Sequence, residues 1–132
     1  MFLNQLSKKE KKAFLQLAYY VALSDGDFSQ KQKDIIKIYT QEMGIKDKGF
    51  DEKKFNLEKV LSKFKSKKSQ RIALIEILAL IYSDFFLHKE EEKVITTILK
   101  LFTIEEKIFL IYSEWTKSIL ALSNEGELLL EL

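Results

Sequence analysis

One helix-loop-helix pattern occurs twice in this chain, over residues 13–45 and again over 72–104, and the two copies align without a gap. In each, an apolar helix ends at Ser-Asp, a four-residue loop follows, and an amphipathic helix begins. Identity is confined to Leu15/Leu74, Ser24/Ser83, Asp25/Asp84, Ile36/Ile95 and Ile45/Ile104, so it is the pattern that repeats. An offset of about 59 residues exceeds the common solenoid periods, and two copies are too few for a stacked array. The pattern therefore predicts one all-α domain over residues 1–132. Its architecture is a pseudo-two-fold bundle of about six helices built from the two repeats.

Composition supports a packed core. Apolar residues make up 46% of the chain and include ten Phe, so 132 residues suffice without staples and disorder is excluded. The absence of Cys removes disulfides, thiolate metal sites and Cys nucleophiles, and the single His88 removes His clusters. The absence of Pro suits uninterrupted helices. The opening M-F-L-N-Q-L-S-K-K-E-K-K lacks the order of a secretory leader. The longest apolar stretch, Ile72 to Tyr82, is broken by Glu76 and falls short of the roughly 20 residues a membrane span needs. A soluble, cytoplasmic protein is the expectation.

Caps place the helices. Ser7 with Glu10, Ser29 with Gln32 and Thr103 with Glu106 read as capping boxes opening the first, second and last helices. Gly44 stops the second. Residues 45–55 are the least regular segment, and a short helix from Asn56 to Phe64 presents Leu57, Val60, Leu61 and Phe64 on one face. The helix from Ser69 to Ser83 is apolar nearly all round and belongs at the centre. Its weakly polar edge, Ser69, Ala73, Glu76, Ala79 and Ser83, predicts a partly exposed Glu76. A fifth helix begins near His88 and uses Val94, Ile95, Ile98, Leu99 and Phe102. The last helix, about 104–123, is read as burying Ile104, Ile108, Ile111, Tyr112, Trp115 and Ile119. The tail after Asn124 extends it, docks on the core, or pairs with another copy to give a homodimer.

At Leu17–Met43 the chain runs L-A-Y-Y-V-A-L-S-D-G-D-F-S-Q-K-Q and on to I-I-K-I-Y-T-Q-E-M. This resembles the TerB-like family, named for a tellurite-resistance protein. That family's pattern is an alanine-rich helix, then Asp-Gly-acid-apolar-Ser, then an acid-bearing helix. Leu78–Phe102 matches the family's second half in position, and the resemblance covers residues 10–120. It implies a pseudo-symmetric helical bundle and a non-enzymatic role in stress responses or membrane-associated assemblies. It also implies acidic loops that bind a divalent metal. Carried onto this sequence, the first loop supplies Asp25, Gly26, Asp27 and Ser29, and the second supplies Asp84 and Glu91. Gln32 stands where the family has an acid, and Phe85 and Phe86 replace a Gly and an acid.

The residues themselves leave the chemistry open. A hard cation such as Ca²⁺, Mg²⁺ or Mn²⁺ requires about six oxygens. Asp25, Asp27, Asp84 and Glu91 form a shell only if the two loops converge. The EF-hand spacing fails, with Gln30 at the sixth position and Ile36 at the twelfth. The competing reading is helix-start electrostatics, which also covers Glu90, Glu91 and Glu92. Nucleic-acid binding through Gln30–Lys33 is opposed by the acids in both loops.

Charge is uneven. Residues 46–71 hold nine Lys and Arg71 against four acids, whereas residues 84–132 hold five Lys against ten acids. The basic segment marks Lys53, Lys54, Lys59, Lys63, Lys65, Lys67, Lys68 and Arg71 as candidate contacts for a protein partner with an acidic surface, or for an anionic membrane. The alternative is a docked helix with its lysines in water. His88 lacks a nucleophile to serve, and no phosphate loop, nucleophile elbow or dinucleotide fingerprint occurs, so no enzyme is expected.

Overall fold

In the computed structural model, residues 1–24, 28–83 and 89–132 are described. Among them the chain is all-helical and without strands. A 3-10 turn over Leu3–Gln5 precedes α1 (Lys8–Leu23), α2 (Gln30–Met43), α3 (Leu57–Leu61), α4 (Lys67–Tyr82), α5 (Lys89–Leu101) and α6 (Glu106–Leu129).

The caps explain most boundaries. Ser7 accepts from the Glu10 amide while Glu10 accepts from the Ser7 amide, and Ser29 and Gln32 repeat the exchange at α2. A third box, Ser66 with Ser69, opens α4 two residues earlier than periodicity alone places it. Each such cap is worth about 0.5–2 kcal/mol. The Thr103–Glu106 box is not formed. α6 begins after Glu105 without a side-chain cap, because Thr103 is taken up in closing α5. Thr103 adopts a left-handed φ of 54°, and the Ile104 amide reaches back to the Leu99 carbonyl at 2.9 Å. Gly44 ends α2 the same way, with φ of 64° and the Ile45 amide on Thr40 at 3.3 Å. Both ends are Schellman-type closures.

α4 is the hub. Leu74, Ile77, Leu78, Leu80 and Ile81 are fully buried, and full burial of such a side chain contributes about 1.5–3 kcal/mol. α1 packs on it through Phe14, Leu17, Ala18 and Val21, and α5 adds Val94, Ile95 and Ile98 to the same cluster. Phe14 meets Tyr39 of α2 edge-on, with ring centroids 5.3 Å apart.

Glu76 departs from its expected partial exposure: only 1% of it is accessible. The chain's first residues fold over α4, and its carboxylate takes the Phe2 amide at 2.9 Å and the Met1 ammonium at 3.0 Å. The ammonium and the Leu3 amide also reach Glu42. A buried carboxylate needs such partners, and here they are structural.

α6 also departs from expectation. Ile111 is 61% exposed and Trp115 42%, whereas the buried residues are Ser113 and Thr116. The helix turns its small side chains inward, flanked by Ile108, Phe109, Tyr112 and Leu120, so its backbone lies close to α4. Tyr82 hydrogen-bonds Ser113 across that contact. The helix continues to Leu129, past the expected end near residue 123. The tail therefore extends the helix and does not dock on the core.

Candidate functional site

Four segments build one groove. α1 contributes Lys9, Lys12, Ala13 and Gln16, which recur at helical spacing and so share a face. The connector after α2 contributes Lys48, Phe50, Lys54 and Phe55, α3 contributes Lys59 and Val60, and the turn after α3 contributes Lys63. The open groove has a volume of about 810 Å³, within the range of ligand pockets. Six lysines ring a floor of Ala13, Phe50, Phe55 and Val60.

The irregular connector is held by aromatic packing. Tyr19 stacks on Phe50 with ring centroids 5.8 Å apart, and Tyr20 stacks on Phe55 at 4.4 Å. Phe50 and Phe55 touch each other at 5.5 Å. Gln16 adds a hydrogen bond to the Gly49 carbonyl at 3.3 Å. Gly49 has φ of 82°, a left-handed turn that favours glycine.

The carboxylates nearest the lysines are already engaged. Asp47 accepts from the Tyr19 phenol and from the Gly49 amide. Burial, the Asp47 hydrogen bond and the Asp47 charge together push the Tyr19 phenol up to about 12. Asp51, the one acid lining the groove, caps its own turn by accepting the Lys53 amide at 3.0 Å. Among the described residues, none of the six lysines is in an ion pair. Clustered like charges over low-dielectric walls create a field that an anionic group relieves.

The basic segment 53–71 is thus not one surface. It is helical over Leu57–Leu61, and α4 begins at Lys67. Lys54, Lys59 and Lys63 enter the groove, whereas Lys67, Lys68 and Arg71 border a shallow trough with Phe2, Ile72, Ile75 and Tyr112. Lys53 and Lys65 are exposed and line neither. Lys9, Lys12 and Lys48 were not among the expected contacts. For Lys9 and Lys12 the available signal was their spacing with Gln16 along one face of α1, and for Lys48 it was the net basic charge of residues 46–71.

Of the acidic-loop residues, Asp25, Asp27 and Asp84 lie outside the described residues, as does His88. Glu91 sits in the first turn of α5 and is buried. Among the described residues, no group of three or more His, Cys, Asp or Glu is gathered to hold a metal. Gln32, one of the residues the disfavoured nucleic-acid reading would use, is 1% exposed and spends its side chain on the α2 cap. Gln30 bonds Asp34 at 2.9 Å. Among the described residues no helix is long and apolar enough to cross a membrane.

Compared with protein-family models, with curated proteins and with solved structures, the chain finds no match. The groove's own chemistry therefore carries the functional argument.

Proposed function

We propose that this chain is a non-enzymatic interaction module of TerB-like type whose lysine-ringed groove receives an acidic, amphipathic segment of a protein partner. One observation carries the reading: lysines from α1, the connector and α3, far apart in sequence, converge around an aromatic floor. A helix with an apolar stripe flanked by carboxylates matches both features, with burial supplying affinity and charge supplying register and on-rate. Concavity favours such a segment over a flat membrane surface.

The test is fluorescence anisotropy with a synthetic helix bearing a leucine stripe flanked by glutamates. Saturable binding that weakens with salt and is lost in the Lys54→Glu/Lys59→Glu variant supports the reading. No binding at low salt overturns it. Co-sedimentation with phosphatidylserine vesicles in place of peptide binding transfers the groove to a membrane role.

A further inference from the structure

α6 outruns the bundle. From Ala121 to Leu132 every residue is exposed except the half-buried Gly126. Leu122, Leu128 and Leu129 are 61%, 65% and 66% exposed. In proteins most helical stability comes from packing of an apolar face, which this end lacks, and Gly126 weakens it further. Its apolar residues are placed for a partner. Leu122, Gly126 and Leu129 fall on one face at helical spacing, where the glycine permits close approach.

The overhang's charge is complementary to the groove. Beyond Lys117 the chain carries no basic residue, but it carries Glu125, Glu127 and Glu131. The C-terminal end of a helix adds partial negative charge. No α6 residue lines the groove, so the overhang of one molecule does not fill that molecule's own site.

We propose that the α6 overhang of one copy docks in the lysine-ringed groove of a second copy. Leu122 and Leu129 lie on the Phe50–Phe55–Val60 floor, Glu125 at the edge of that face lies among Lys54, Lys59 and Lys63, and Glu127 adds to the tail's negative charge. This rests on the proposed function, since it names one occupant of that groove and makes self-association a competitor of other acidic segments. The contact joins unlike surfaces, so reciprocal exchange closes a dimer and one-way docking builds chains.

Sedimentation velocity on the full chain tests it. Wild type is expected to self-associate at low salt, with affinity falling about tenfold or more when either Lys54→Glu/Lys59→Glu or Glu125→Lys/Glu127→Lys is introduced. All four positions are exposed, and circular dichroism verifies the folds. Mixing the two variants is expected to restore part of the association, because the groove carrying the two introduced glutamates then meets the tail carrying the two introduced lysines, and the unaltered groove meets the unaltered tail. A monomer at every concentration overturns the inference, as does an oligomer that ignores reversal of the groove lysines. A monomer that still binds the synthetic acidic helix discards self-docking alone, whereas loss of both discards the groove's role as well.

Discussion

The rings of Tyr20 and Phe55 stack with centroids 4.4 Å apart and planes inclined by 17°. That contact fixes part of the groove's floor, because Tyr20 belongs to α1 and Phe55 to a connector without regular structure. Truncating Phe55 to Ala removes an aromatic pair worth about 0.5–1.5 kcal/mol and part of the ring's buried area. The expected cost is about 2 kcal/mol in urea unfolding. Amide exchange is expected to accelerate over residues 45–56 while α4 keeps its protection.

Glu76 gives a second, independent expectation. Glu76→Gln keeps the shape but takes the negative charge away from the Met1 ammonium. Removing one partner of a fully buried pair costs about 3–5 kcal/mol. Here the ammonium is about a third exposed (37%), so about 2 kcal/mol is expected. Burial alone lowers the amine's pKa, but hydrogen bonds and charge from Glu42 and Glu76 outweigh it and raise the value above 8.0. A raised folded value means the contribution is complete below pH 8 and fades as pH climbs through the folded pKa. Melting curves of wild type and Glu76→Gln are expected to converge on that alkaline side.

Thr103 carries avoidable strain. A β-branched residue with φ of 54° is an outlier, and the left-handed region costs a non-glycine residue about 1–2 kcal/mol. Thr103→Gly removes that cost and returns up to about 1 kcal/mol through the looser unfolded chain. A net gain of about 0.5 kcal/mol is expected, read as a higher urea midpoint. Gly44→Ala is expected to lose about 1 kcal/mol, purely from backbone conformation, since an added Cβ meets nothing within 4 Å.

Tyr19 reports on the connector through pH. Its phenol stays protonated to about 12 because burial and Asp47 both oppose ionisation. The folded value exceeds the ordinary value of 10.0. The contribution is therefore complete below pH 10 and is lost as pH rises through 12. Ultraviolet titration at alkaline pH is expected to lose one late-ionising phenol in Tyr19→Phe, while buried Tyr39, also pushed well above 10.0 by burial, keeps its own late ionisation. Asp47→Asn is expected to shift the Tyr19 ionisation back toward 10.

The legible parts of the fold were local ones. Ser7–Glu10 and Ser29–Gln32 act within four residues, and the helices they open fall where periodicity puts them. The central place of α4 followed from an apolar surface that runs nearly all round it. Tertiary competition decided the rest. Thr103 offers both a cap hydroxyl and a helix stop, and the closure of α5 used it as the stop. Apolar residues cover so much of α6 that periodicity could not select its inner face, and the close approach rested on Ser113 and Thr116. Glu76 acquires its partners from residues 1 and 2, far away in sequence. The candidate site was half legible. Lys54, Lys59 and Lys63 stood out as a charge run, but their convergence with Lys9, Lys12 and Lys48 depends on how Phe50 and Phe55 fold back on α1.

The most direct measurement is a ¹⁵N-resolved NMR titration of the full chain with the synthetic acidic helix. Shift changes are expected to cluster on Lys9, Lys12, Gly49, Phe55, Lys59 and Lys63 and to vanish in Lys54→Glu/Lys59→Glu. Changes centred on Lys67, Lys68 and Arg71, or none at saturating peptide, would contradict the groove as the binding surface.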